Sequence, residues 1–359
     1  MRSTAARLAR AAAPALLALL AAGCAAVGPQ RLDMDQTGYT AALGEGLKRQ
    51  MLLNMVRLRY ADVPAFVSAS QLISGYTLQS TGQLGLNAYP NAAAGNLATV
   101  SGTVQCTSRP TFTFTPVTGE RFAQSYLRPL AAVELLSLAQ SGAPVDLLFR
   151  IGVQSVNGLA NGATTVGTGP QEPSEGFQAL THALREVQSA GALTVRFHRE
   201  PTGAQVHLVL DGDDERGTAA ARRVRRLLGI GPEEAEFEVV YGRRRQGPNQ
   251  VAVLTRSVLQ ILYELGSQME MPEGDVRRGK TRSTEAGDPA GRGDRLVHVR
   301  HGRGAPRDAY AAVEYRDRWF WIDAADYRSK AAFAFVYILQ TLAESNQGQP
   351  TPIVTIPSQ

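Results

Sequence analysis

Leu43, Leu47, Met51, Met55 and Leu58 recur at three- and four-residue intervals, and Leu52 and Val56 widen the stripe. That spacing makes one helical face apolar, so a core helix is predicted here. From 66 to 116 the pattern changes. Ser, Thr, Gly and Asn become frequent, and Thr111, Phe112, Thr113, Phe114 and Thr115 alternate as a half-buried strand does. Several strands paired as hairpins are expected, with an open loop around Asn87 to Asn96. Thr118 is placed to cap a helix that Pro129 interrupts. Proline lacks an amide donor but suits the first turn of the next helix, which continues over Leu130 to Ala139.

Asp146 to Val156 reads as a strand. Asn157 to Pro173, rich in Gly, Asn and Thr, reads as a loop or linker. Ser174 opens a helix whose apolar face is Phe177, Leu180, Leu184 and Val187. Thr194–His198 and Gln205–Leu210 form a hairpin turning at Thr202 and Gly203. A basic helix over 214–228, a strand near Phe237–Tyr241 and a helix over 251–265 follow. Pro272 to Asp294 is polar, rich in Gly and Arg, and expected to be mobile. A strand at Leu296–Arg300, the run Tyr310–Asp323 and a helix over 326–345 complete the chain. Ala331 to Ala343 is apolar almost all round, which predicts burial. The expected class is α+β, with mixed helices and short antiparallel sheets in one large or two small domains. The regions would be 39–156 and 174–359, separated by 157–173.

Composition bears on address more than on chemistry. Arg2, Arg7 and Arg10 precede an apolar stretch, Ala11 to Ala22, that is too short to cross a bilayer as a helix. Ala21, Ala22, Gly23 and Cys24 resemble a bacterial lipobox. Residues 1–23 are then a signal peptide, Cys24 carries a diacylglycerol and an acyl chain, and 24–38 is a tether. Cleavage removes three of the 37 basic residues and none of the 32 acidic ones, so the net charge falls from +5 to +2. The pI near 9.3 is partly the leader's, and neither nucleic acid nor nucleotide is an expected partner. With Cys24 acylated, Cys106 is a lone thiol, read as structural.

Candidate chemistry is thin. Gly274, Gly279, Lys280 and Thr281 match a phosphate-binding loop formally, but no buried strand precedes them and no helix is expected after them. A turn at 202 and 203 would set His198 directly opposite His207. A closed zinc site needs two further ligands that the sequence does not name, so surface histidines are the simpler account. His298 and His301 lie in a basic stretch. Asp211, Asp213, Asp214 and Glu215 precede a helix and favour its dipole. Arg222, Arg225 and Arg226 share a helix face and, with Arg243, Arg244 and Arg245, form a possible anion patch. From Arg277 to Arg307 nine basic residues meet three acidic ones, read as a solvated arm. Trp319 and Trp321 on one side of a strand and Phe320 on the other read as core. No catalytic residue is assigned, and an enzyme is the less expected outcome.

Gln50–Pro64 (QMLLNMVRLRYADVP), Pro110–Pro129 (PTFTFTPVTGERFAQSYLRP) and Ala312–Lys330 (AVEYRDRWFWIDAADYRSK) together resemble a group of uncharacterised proteobacterial lipoproteins. The resemblance implies an envelope location and carries over no catalytic residue. Ala25 after the lipidated cysteine is similar to signals that permit sorting to the outer membrane, with the body facing the periplasm. The leading expectation is a lipid-anchored component of an envelope assembly, acting by binding or as a scaffold for an unknown envelope protein. The alternative is a periplasmic enzyme acting on cell-wall or polysaccharide substrates. A third possibility is an oligomer whose 66–116 hairpins join into one sheet or barrel.

Overall fold

The computed structural model describes residues 29–87, 97–165, 168–200, 203–211, 215–232, 234–284 and 295–345. Cys24, the signal peptide and most of the loop at Asn87–Asn96 lie outside the described residues. The first described element is helix α1 (Pro29–Arg59). In its last turns Met51, Leu52, Met55, Val56 and Leu58 are buried, as their spacing predicts. Asn54 holds the chain that leaves the helix, donating to Ala65 O (2.9 Å) and accepting from Ala65 N (2.9 Å).

The chain separates into two compact units. In the smaller, strands β1 (Val67–Asn87) and β2 (Leu97–Pro116) form a two-stranded antiparallel sheet. The register sets Leu72 with Phe112, Leu78 with Cys106 and Leu86 with Ala98. Instead of several short strands there is one long ribbon.

The larger unit spans 48–66 and 117–359. Helix α2 (Gly119–Phe122) runs into a π-helical turn, Ala123–Leu127, and Pro129 ends the run as expected, bridging to Ser257. Thr118 stands at the start of α2, but its side chain makes no capping bond. Helices α3 (Ala132–Gln140) and α4 (Val145–Gly152) lead into strand β3 (Val153–Val156). The single strand expected over 146–156 is therefore mostly helix. Val145, Leu148, Phe149 and Gly152 fall a turn apart and all are buried, a pattern that a short apolar run conceals.

Asn157 and Gly158, at φ 46° and 88°, make a two-residue hairpin turn into β4 (Leu159–Thr165), which pairs with β5 (Thr168–Pro173). The expected linker is thus two strands. Asn-Gly is the residue pair that such a turn favours. Helix α5 (Glu175–Ser189) starts on Ser174, whose hydroxyl accepts from Phe177 N, and it buries Phe177, Leu180, Leu184 and Val187. Next come β6 (Leu193–Glu200), β7 (Gly203–Leu210), α6 (Glu215–Leu228), β8 (Glu236–Tyr241) and β9 (Gln250–Thr255). Helix α7 (Val258–Ser267) begins later than expected because Ser257 and Gln260 form a capping box, and the residues before it form β9.

Helix α8 (Glu273–Arg277) occupies part of the expected mobile segment, of which 285–294 lie outside the described residues. Leu296–Val299, expected as part of a strand, is irregular. Only β10 (Arg300–Gly302) joins a three-stranded sheet with the hairpin β11 (Ala311–Tyr315) and β12 (Arg318–Ile322). Helix α9 (Tyr327–Ser345) buries Phe333, Val336 and Leu339, yet Tyr337 and Ile338 are about two-fifths exposed, so the apolar run is not buried all round.

The fold is α+β. Its main sheet has seven strands in the order β5-β4-β3-β9-β8-β7-β6, antiparallel except for β8 beside β9. Val195, Val206, Leu208, Leu210 and Phe237 are buried on one face of this sheet within a single core. Across β6, β7 and β8 the other face carries the polar residues Arg196, His198, His207, Glu236 and Glu238, with Val209 among them.

Candidate functional site

The hairpin register decides what that polar face presents. Val195 pairs with Leu208, Arg196 with His207 and Glu200 with Gly203, a register two residues away from the one expected from a turn at 202 and 203. His198 lies opposite Gln205, not His207. The shift is two residues, so every side chain keeps its face, and the two histidines become diagonal neighbours. Their rings still meet edge to face, with centroids 4.7 Å apart.

Strand β8 brings the third group. Glu236 stands opposite Val209 and Glu238 opposite His207, so both acids fall on the histidine face. Glu236 Oε1 is 3.3 Å from His207 Nδ1 and 3.5 Å from His198 Nε2. Its other oxygen, Oε2, accepts from Arg196 at 2.9 Å. Glu238 Oε2 accepts from Gln250 Nε2 at 2.8 Å. Sequence spacing missed Glu236 because the link runs through the β7–β8 register. The alternation of Glu234, Glu236 and Glu238 was the available signal.

Parallel strands need a return connection, usually a dozen residues or more with a helix. Here residues 242–249 return from Tyr241 to Gln250, which pairs with Glu238. Gly247, Pro248 and Asn249 consequently border the same cleft, which has a volume of about 620 Å³ and is lined also by His198, Gln205, His207 and both glutamates. Arg245 fixes this loop by donating to Pro248 O (3.1 Å) and Gly229 O (2.6 Å).

That contact divides the expected arginine patch. Arg225 donates to Leu210 O and Glu234 O, both at 2.6 Å, and Arg222 to Thr218 O at 3.4 Å. All of the six except Arg225 are exposed. Half of the guanidiniums thus donate to backbone carbonyls, Arg225 to part-buried ones and Arg222 and Arg245 to exposed ones.

The phosphate-loop look-alike folds around a carboxylate. Asp275, in α8, accepts from Tyr60 Oη (2.8 Å) and Arg278 (2.7 Å), with Lys280 Nζ 3.7 Å away, and Thr281 Oγ1 donates to Arg59 O (2.8 Å). Arg59, Tyr60, Asp62, Lys280 and Thr281 line a second cavity of about 640 Å³. The Arg278 hydrogen bond, aided by Tyr60 and Lys280 and opposed by burial, holds the Asp275 carboxyl below its ordinary 3.8. A depressed carboxyl contributes stability that is fully present above the unfolded-state value, near pH 4, and is lost as pH falls through the folded-state value. Acid unfolding of Asp275→Asn is therefore expected to show a shallower loss of stability below about pH 4 than wild type, read by urea midpoints at each pH. Burial and the hydrogen bond to Asp62 push the Tyr315 phenol up to about 12 in the same region.

His298 serves locally. His298 Nδ1 lies 3.2 Å from Asp326 Oδ2, and the same carboxylate holds Ser329 at the start of α9. Phe320 is fully buried, whereas Trp319 and Trp321 are partly exposed. No family description, curated protein or solved structure matches this chain.

Proposed function

We propose that this is a lipid-anchored envelope protein that works as one of several identical units in a membrane-inserted assembly, with its α+β body as the periplasmic binding platform. One observation carries the reading. Between Val67 and Pro116 the only charged residue is Arg109, in a chain that is 19% charged. The backbone register sorts this stretch into two classes of position. One alternate set pairs Leu72 with Phe112, Leu78 with Cys106 and Leu84 with Val100; the other pairs Thr77 with Thr107, Gln79 with Gln105 and Gln83 with Ser101. Polar residues, Arg109 among them, thus mainly occupy one face and mainly apolar or small residues the other.

Such a ribbon is marginal alone in water. Strands crossing a bilayer need about 9–11 residues, with every backbone group paired in a closed ring. The segment Leu78–Leu86 meets that length, and Tyr76 precedes it at the level where barrels place aromatic girdles. Among the described residues no further strand joins either edge. Hairpins from neighbouring copies would complete the ring, with the polar face to its lumen. Cys24 would hold each copy at the membrane through its acyl chains.

The test compares wild type, Cys24→Ala and a variant with residues 71–113 replaced by a short Gly-Ser turn. The expected result is a detergent-stable oligomer that releases dye from liposomes. Hairpin replacement should abolish both properties while leaving the body folded by circular dichroism, and Cys24→Ala should reduce membrane recovery in cells. A wild-type protein that stays monomeric in membranes and releases no dye would overturn the assembly. Unchanged fractionation of Cys24→Ala would overturn the anchor.

A further inference from the structure

We propose that His198, His207 and Glu236 form a binding site for a divalent late first-row metal ion of the zinc and copper class, on the polar face of the seven-stranded sheet. Bonds of about 2.0–2.1 Å in a tetrahedral arrangement set ligand atoms about 3.3 Å apart. Glu236 Oε1 already stands 3.3 Å and 3.5 Å from the two imidazole nitrogens. All three ligand atoms lie within 4.8 Å of one another. The only edge left to close is between the histidines, and the His198 side chain is 53% exposed and free to turn about its χ angles.

Two imidazoles and one carboxylate are a borderline donor set, which suits zinc, nickel and copper better than calcium or magnesium. The carboxylate is also oriented. Arg196 occupies Glu236 Oε2, which leaves Oε1 directed at both rings, as outer-shell partners orient metal ligands elsewhere. All three ligands arise on adjacent strands, so the backbone fixes their spacing. The cleft leaves room for water or a small ligand in a fourth position, beside Glu238 and Gln250. An imidazole–carboxylate–imidazole cluster held by hydrogen bonds alone is the rival account.

The experiment uses the full-length protein purified without a histidine tag, titrated with zinc by calorimetry and with copper by electron paramagnetic resonance. Wild type is expected to bind one equivalent, with a copper spectrum showing coupling to nitrogen, and to melt at a higher temperature when zinc-loaded. His198→Ala, His207→Ala and Glu236→Gln should each weaken binding about tenfold or more. Because His207 sits in an inner strand, His207→Gln replaces the alanine variant should that variant not fold. His198→Ala removes an exposed group and needs no substitute. Absence of binding at micromolar zinc and copper would overturn the site in favour of the hydrogen-bonded cluster. The same would follow if His198→Ala kept the wild-type affinity and nitrogen coupling, since the metal would then lie on other residues.

Discussion

Arg256→Ala is expected to destabilise the protein by about 3–5 kcal/mol, the range for removing one partner from a buried charged network. The guanidinium is 4% exposed and donates to four backbone carbonyls: Arg150 (2.8 Å), Ile151 (3.2 Å), Asn161 (2.9 Å) and Gly162 (3.1 Å). Glu264 Oε2 lies 3.9 Å away, and its side chain is only 15% exposed. Burial lowers the arginine's pKa and Glu264 opposes that, but the group remains a cation at any ordinary pH. Alanine would remove a buried donor from all four carbonyls, of which Arg150 O keeps Asn161 Nδ2 (2.9 Å), and would take the cation from beside Glu264. Arg256→Lys keeps the charge but offers three donors from one point, so most of the loss should persist. Urea unfolding of both variants measures this, and a midpoint within experimental error of wild type for Arg256→Ala would refute the network's role.

Phe320→Ala should cost a similar amount, about 3–5 kcal/mol, by a different route. The ring is fully buried in β12 and meets Tyr60 edge to face at 6.2 Å and His301 at 6.3 Å. Neighbouring strand backbones on both sides keep the vacated space from collapsing. Phe320→Leu refills most of that volume and should recover more than half of the loss. Thermal unfolding of the pair separates cavity cost from loss of ring contacts. Equal melting temperatures for Phe320→Ala and Phe320→Leu would rule out the cavity account.

These two residues mark what periodicity alone conveys and what it does not. Phe320 was legible as core, because alternation in RWFWI assigns it to the face opposite the tryptophans. Likewise the α5 stripe and its Ser174 cap follow from helical spacing and side-chain chemistry. Arg256 was not legible. Its partners are backbone carbonyls a hundred residues away, and carbonyls have no sequence signature. Helix α4 was misassigned because eight apolar-rich residues satisfy either period when read alone. The histidine pair was visible as one polar face, yet its hairpin register depended on where a two-residue turn fell. Glu236 needed a third strand, and the arginine patch needed the positions of Leu210 O and Gly229 O. What the sequence conveyed was local order; what it withheld was pairing between distant segments.

The strand order carries a kinetic consequence. β3, β4 and β5 arise from residues 153–173 and form one end of the main sheet, while β6, β7 and β8, from residues 193–241, form the other. One end pairs by short hairpins and the other by the β6–β7 hairpin with β8 returning through α6, so each can form once it is synthesised, but β9 alone joins them, beside β3 and β8. Until residues 250–255 arrive, a nascent chain holds two separate half-sheets, each with an unsatisfied inner edge open to another chain. Joining β3 to β9 closes a loop of about a hundred residues, a slow step by the cost of distant contacts. Arg256, the next residue, then ties that junction to α4 and β4. Completion of the fold and locking of its centre therefore fall to consecutive residues, and the interval before they emerge is when the chain most needs protection from its own copies.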